Sequence, residues 1–286
     1  MKYFVGTTLS TQVQWQLELM IESFKYLGIQ DKLYIYLSTD GKPVFHDSFC
    51  HNLQNHNNLH IQPNYGKRRG YLPLNDLYNL VQAINDNVLS DEFIMIPTDT
   101  VIFKEPEPIE EPLACKFQTD LLFSPEVIHN EVNMIDNFDI NPSEVSSEVW
   151  PFASKFFQFK NFHVSFFEDL LFRTEQFIFN QLSNKVKVFD KTMQLAMNLQ
   201  LKMSVGKYLP IQTNNLSNQL LDHEINHFVD YEKGYYPIFN KSMFKFNPIA
   251  LADPFEVLAS HKPTYAFAYL SGLAERYLKN RHVQKN

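Results

Sequence analysis

The first forty residues restrict the fold more than any other stretch. Lys2 to Thr8 (KYFVGTT) is a short, mostly apolar run that reads as a strand buried on both faces. Residues 12–27 then carry apolar side chains at 13, 17, 20, 21, 24 and 27, the spacing of a helix stripe, and Gly28 marks its end. Lys32 to Leu37 (KLYIYL) predicts a second strand, which runs into Ser38-Thr39-Asp40-Gly41. A strand, a helix and a strand in this order favour parallel pairing, because the helix serves as the crossover. The expected fold class is α/β, with a mostly parallel central sheet flanked by helices. No GxGxxG follows the first strand, which removes the dinucleotide-binding signature.

A second constraint lies at residues 91–108, DEFIMIPTDTVIFKEPEP. Phe93 to Ile96 predicts a buried strand near the middle of the sheet. Pro97 ends it, Asp99 sits in the polar turn beyond, and Val101 to Phe103 forms another apolar run. Open α/β sheets bind ligands at the carboxyl ends of their strands, so Asp99 stands where a ligand-binding carboxylate belongs. Aspartate is also an ordinary turn residue, and the stretch alone leaves both readings open.

Between these landmarks, residues 46–60 read as a loop or short helix, and Leu59 to Ile61 as a third strand. Residues 66–70 (GKRRG) form the basic cluster of the first half, either a solvated face or a clamp on phosphate oxygens. Residues 75–89 predict a helix with Asn75 as its N-cap. Past Pro112 the pattern weakens. Thr119 to Phe123 suggests a strand, residues 124–150 an acidic loop, and residues 163–182, 188–203 and 265–282 helices.

Net charge is −7, so no overall positive field points to nucleic acid. No run approaches the roughly 20 apolar residues of a membrane span. The N-terminus is apolar over too few residues for a signal peptide. Cys50 and Cys115 lie far apart, fit neither a disulfide framework nor a Cys-rich metal site, and are expected as free buried thiols. A reducing cytoplasm is the expected location.

Three pieces of the first 110 residues resemble the GT-A nucleotide-sugar glycosyltransferases, and within them the hydroxyproline O-arabinosyltransferase and peptidyl serine galactosyltransferase group. They are Thr7-Thr8 with Gln14-Trp15-Gln16 and a strand ending at Ser38; Tyr71-Leu72-Pro73-Leu74-Asn75 opening a helix; and FIMIPTDTVIFKEP. The resemblance implies one GT-A-like domain over residues 1–286, with a nucleotide-sugar-binding part over about 1–115 and an acceptor part over about 116–286. It implies transfer of a sugar from a nucleotide-diphosphate sugar, a UDP-sugar first, to a glycan or protein acceptor. Asp99 then takes the last position of the DxD-type motif and holds Mn²⁺ or Mg²⁺ on the diphosphate. The first acid of that motif is replaced by Pro97, which has no side chain able to bind a metal. His227 is the expected second metal ligand and Lys233 the phosphate contact, while Thr7, Thr8 and Asp40 are expected against the nucleoside. The plant members of that group are anchored in the secretory pathway. No such anchor is expected here, and the peptide-hydroxyproline acceptor is not carried over.

Two other readings compete. His223-Glu224-Ile225-Asn226-His227 is a literal HExxH, which on a helix puts two zinc ligands on one face with the glutamate as general base. A zinc peptidase of this kind would draw its third ligand from Glu232 or Glu256. The last reading is a non-catalytic sugar-binding module that has lost the acid at position 97.

Overall fold

The computed structural model describes residues 1–46, 50–63, 71–90, 92–98, 100–102, 105, 115–122, 138, 151–185, 193, 196–197, 199–200, 210–211, 225–227 and 265–284. The chain runs β1 (Lys2–Thr8), α1 (Thr11–Tyr26), β2 (Leu33–Thr39), α2 (His51–Gln54), β3 (Leu59–Pro63), α3 (Leu74–Asn85) and β4 (Glu92–Met95). It continues with β5 (Thr100–Ile102), β6 (Cys115–Leu122), β7 (Pro151–Lys160), α4 (Val164–Ser183), β8 (Pro210–Ile211), β9 (Ile225–His227) and α5 (Tyr265–Gln284).

Seven strands form one sheet in the order β3-β2-β1-β4-β7-β6-β8, and β5 pairs with β9 in a separate ribbon. The pairings β1–β2, β1–β4, β2–β3 and β6–β8 are parallel; β4–β7 and β6–β7 are antiparallel. The expected mixed α/β fold with a mostly parallel sheet is therefore present. Residues 93–96 are buried, and their strand is the fourth of seven, as four consecutive apolar residues require.

Side chains alternate across the sheet and feed two cores. Tyr3, Val5, Ile35, Leu37, Ile94 and Ile96 face α1, where Leu17, Met20, Ile21 and Phe24 meet them. Phe4, Tyr36, Phe93 and Met95 face the other way, onto Leu74, Leu77 and Leu80 of α3 and Phe166, Phe167 and Leu170 of α4. Gly28 ends α1 as expected. It sits at φ +71°, donates to the Lys25 carbonyl, and lets Ile29 N reach Phe24 O at 3.0 Å, a hydrogen-bonding pattern that closes the helix end.

Gly6 fixes how close α3 lies to β1. A Cβ there would stand 2.9 Å from the Asp76 carbonyl oxygen and 3.0 Å from Asn79 Cβ. Backbone cannot yield cheaply, so Gly6→Ala is expected to destabilise the protein by about 1–3 kcal/mol and Gly6→Val by more. The check is the urea midpoint of each variant. An unchanged midpoint would show that α3 can move away from the sheet.

Two expectations need correction. Asn75 is not the N-cap of α3: Pro73 holds that place, and Asn75 lies inside the first turn with its side chain buried. The helix also stops at Asn85 instead of continuing to 89, because Asn87 takes φ +56° and the chain turns toward β4. The strand Pro151–Lys160 was not expected from sequence, although it joins the parallel half of the sheet to β6. Among the described residues no helix is long and apolar enough to cross a membrane.

Candidate functional site

The carboxyl ends of β1 and β2 lie side by side, with Thr7 opposite Leu37 and Thr8 opposite Ser38. Leu9 N donates to Ser38 O at 2.8 Å and continues that pairing past the strand ends. Of the residues expected against a nucleoside, Thr7 and Thr8 are half-buried, and Asp40 is exposed two residues beyond Ser38. These three are brought to one edge of the sheet.

The tight contact at Gly6 carries polar side chains of α3 to the same edge. Asn79, 1 % exposed, donates through Nδ2 to Thr7 O (3.2 Å) and Tyr36 O (3.1 Å), while its Oδ1 accepts from Ser38 Oγ at 3.1 Å. One amide thus ties the C-terminal halves of two parallel strands. Asn75 Nδ2 donates to Thr8 Oγ1 at 2.8 Å. Asp76 is buried between them in sequence. A buried amide with its groups satisfied rigidifies its surroundings, whereas a half-satisfied one is costly.

Helix α1 braces the other side through Gln14 and Gln16. Gln14 Nε2 donates to Val44 O at 2.8 Å, and its Oε1 accepts from His46 N and Cys50 Sγ, each at 2.8 Å. These bonds fasten the chain that leaves β2. Gln16 Oε1 accepts from Thr98 Oγ1 at 2.9 Å, in the turn after β4. Cys50 is a free, buried thiol, and burial pushes it up to about 12, so it is an inert hydrogen-bond donor at neutral pH.

Beyond β4, Ile96 N donates to Phe4 O at 2.9 Å and Pro97 is buried. The small ribbon then sets Thr100 opposite His227, Val101 opposite Asn226 and Ile102 opposite Ile225. The segment Ile225–His227 is thus extended. The HExxH spacing needs a helix to put both histidines on one face, so the zinc-peptidase reading loses its geometric basis. Asp99, residues 66–70, His223, Glu224, Glu232, Lys233 and Glu256 lie outside the described residues, as does the side chain of Cys115. Among the described residues no group of three or more His, Cys, Asp or Glu side chains is arranged to hold a metal.

No protein-family model matches the chain, and no curated protein matches it. Solved structures do. One is the galactosyltransferase LgtC in complex with donor and acceptor sugar analogues, 9 % identical over 69 % of this chain and 70 % of that one, with a TM-score of 0.39. Another is the apo structure of the bifunctional glycosyltransferase WbbM, 12 % identical, TM-score 0.39, with 76 % of this chain covered. The match spans only 39 % of the WbbM chain. An active-site mutant of LgtC matches at 7 % identity over 69 % of this chain and 70 % of that one, TM-score 0.40. These neighbours are glycosyltransferases. None is described as a hydroxyproline O-arabinosyltransferase or peptidyl serine galactosyltransferase, and that finer assignment is not supported. Overlap at this level is too low to identify a shared fold, so the functional reading rests on the residues themselves.

Sequence reasoning missed Asn79 and Asp76, gave Gln16 and Thr98 no role although both lie in the motifs that carry the resemblance, and gave Asn75 a different role. A signal for two of them was present. Asn75 and Asn79 are four residues apart on a helix that also buries Leu74, Leu77, Leu80 and Ala83, and two amides on such a face must have partners.

Proposed function

We propose that this protein binds a nucleotide-diphosphate sugar across the carboxyl ends of β1, β2 and β4 and transfers the sugar to a glycan or protein acceptor. The supporting observation is the pairing of β5 with β9. It sets His227 opposite Thr100, which directly follows Asp99, so the two metal ligands chosen from the sequence belong to chain segments that meet. A carboxylate and an imidazole, completed by substrate phosphate oxygens, make a donor set suited to Mn²⁺. A cation held there would stabilise the charge that develops on the leaving diphosphate.

The chain's own residues take the remaining roles. Thr7 and Thr8 offer hydroxyls to the nucleoside, and Asp40 a carboxylate. Lys233 supplies positive charge to the diphosphate. Asn79 keeps the strand ends in register, so the ligand meets a preformed edge. UDP-sugars are the first donors to test.

The test is calorimetry and thermal shift with UDP and other nucleoside diphosphates, with and without Mn²⁺. A ligand at 100 times its Kd should stabilise the fold by about 2.7 kcal/mol. Asp99→Asn and His227→Ala are each expected to abolish Mn²⁺-dependent binding while keeping the fold. His223→Ala and Glu224→Gln should leave it largely intact. Parental binding in Asp99→Asn would remove Asp99 from the metal. Stoichiometric zinc in the parent, lost on changing either histidine, would restore the peptidase. Pro97 in place of an acid favours one further reading, a module that binds the nucleotide sugar without turning it over. Tight binding with no hydrolysis of any nucleotide sugar and no transfer would select it.

A further inference from the structure

We infer that Gln16 is a positioning residue for the cation half of this site, acting through Thr98; the inference rests on the reading of Asp99 given above. In the turn between β4 and β5, Pro97 has no N–H to donate. The described fixed points of this turn come from β1 and α1. Ile96 N is bound to Phe4 O on β1, and Thr98 Oγ1 donates to Gln16 Oε1 at 2.9 Å across 82 residues of sequence. Ile102 N donates to Ser23 Oγ at 3.2 Å, and Ser23 Oγ donates in turn to Met20 O at 2.7 Å.

Gln16 and Ser23 are seven residues apart, two turns of α1, and therefore lie on one face of that helix. Gln16 is 4 % exposed, between the buried Trp15 and Leu17, so its backbone is fixed by packing. Helix α1 thus grips the chain on both sides of position 99, at Thr98 through Gln16 and at Ile102 through Ser23. A hard cation tolerates little misplacement of a carboxylate ligand, and partners that orient metal ligands from outside typically contribute 10–100-fold in affinity. Gln16 itself has no role on the metal or the nucleotide. Its oxygen sets where the Thr98 hydroxyl stands, and hence where the next residue begins.

The experiment measures Mn²⁺ affinity at saturating UDP, UDP affinity without metal, and melting temperature, for the parent, Gln16→Ala, Thr98→Val, Thr98→Ser and the double variant Gln16→Ala/Thr98→Val. Thr98→Val keeps the shape and removes the hydroxyl; Thr98→Ser keeps the hydroxyl. Expected are a loss of Mn²⁺ affinity on the order of tenfold or more in Gln16→Ala and in Thr98→Val, and recovery in Thr98→Ser. The double variant should be no worse than the poorer single one, as for two ends of one bond. Metal-free UDP affinity should barely change. A purely structural role would lower melting temperature and leave Mn²⁺ affinity alone. That result, or additive losses in the double variant, overturns the inference while leaving the proposed site standing. A parent with no Mn²⁺-dependent nucleotide binding overturns the site, and the inference with it.

Discussion

Phe167→Ala is expected to destabilise the protein by about 3–5 kcal/mol, the range for removing a buried aromatic ring. The sequence holds 26 phenylalanines, and several of them converge where α4 meets β4 and β7. Phe167 packs edge-on to Phe159 and to Phe166, each with centroids 5.0 Å apart, and lies 5.9 Å from Phe93. Phe93 and Phe159 are opposite one another in the antiparallel β4–β7 pair. The ring therefore joins the helix to both strands at the seam between the parallel and antiparallel halves of the sheet. Edge-on pairs of this kind add about 0.5–1.5 kcal/mol beyond the area they bury. For a chain this long each kcal/mol corresponds to about 2–4 °C, so a fall in Tm on the order of 10 °C is expected. Phe172, on the same helix but 60 % exposed, is the control. Its change to alanine should stay within about 0.5 kcal/mol. Equal losses at both positions would show that the seam is not packed as described.

Why the sequence revealed the first half of this fold and not the second can be read from these elements. β1, β2 and β4 are short apolar runs and α1 and α3 carry helix stripes, so local chemistry decides their form, although the sequence places the end of α3 too late. The β7 stretch PFASKFFQFK lacks strict alternation, although Pro151 opens it and Asn161, at φ +56°, follows it. It is a strand because β4 and β6 both pair with it, a non-local cause that no window of residues contains. The candidate site divides the same way. The place of Thr7, Thr8 and Asp40 at strand ends was legible because strand ends are. The bonds of Gln16 and Asn79 were not, because their partners Thr98 and Tyr36 lie 82 and 43 residues away.

Helix α1 shows the same limit most sharply, because its apolar stripe predicts one buried face while residues 14 to 24 are all buried. The second face is polar: Gln14, Glu18 and Glu22 recur every four residues. Gln14 holds Val44, His46 and Cys50, and Glu18 accepts from Leu53 N (2.7 Å) and Asn52 N (3.2 Å) at the start of α2. Glu22 pairs with Arg276 of α5 at 2.9 Å. Elements arriving later in the chain cover a surface that the helix period marks as solvent-facing.

That covered carboxyl gives the last prediction, a loss of stability between weakly acidic and weakly basic pH. Burial pushes Glu18 up to about 8 from an ordinary 4.5 and the neighbouring Glu22 adds to the rise, against the Leu53 and Asn52 N–H groups and the nearby Lys25, which favour the charged form. The folded value is raised, so below pH 4.5 both states hold the proton and there is no penalty. Between 4.5 and 8 the unfolded chain ionises while the folded one keeps its proton. Stability therefore falls as pH rises through this window, by up to about 1.4 kcal/mol for each pH unit, and levels off above 8. His56 works in the other direction. Burial lowers it while its ring bonds to Leu33 O, so its contribution is lost as pH falls below its ordinary value. Comparison with Glu18→Gln separates the two, because His56 is common to both proteins. The amide retains one acceptor for Leu53 N and gives up the longer bond to Asn52 N. Urea unfolding at pH 5 to 9 should find the variant equal to the parent or about 1 kcal/mol weaker at pH 5. It should be more stable by several kcal/mol at pH 8, with the two curves crossing between. Parallel curves would mean that Glu18 is already ionised in the fold at neutral pH, and that α2 and α5 leave it open to water.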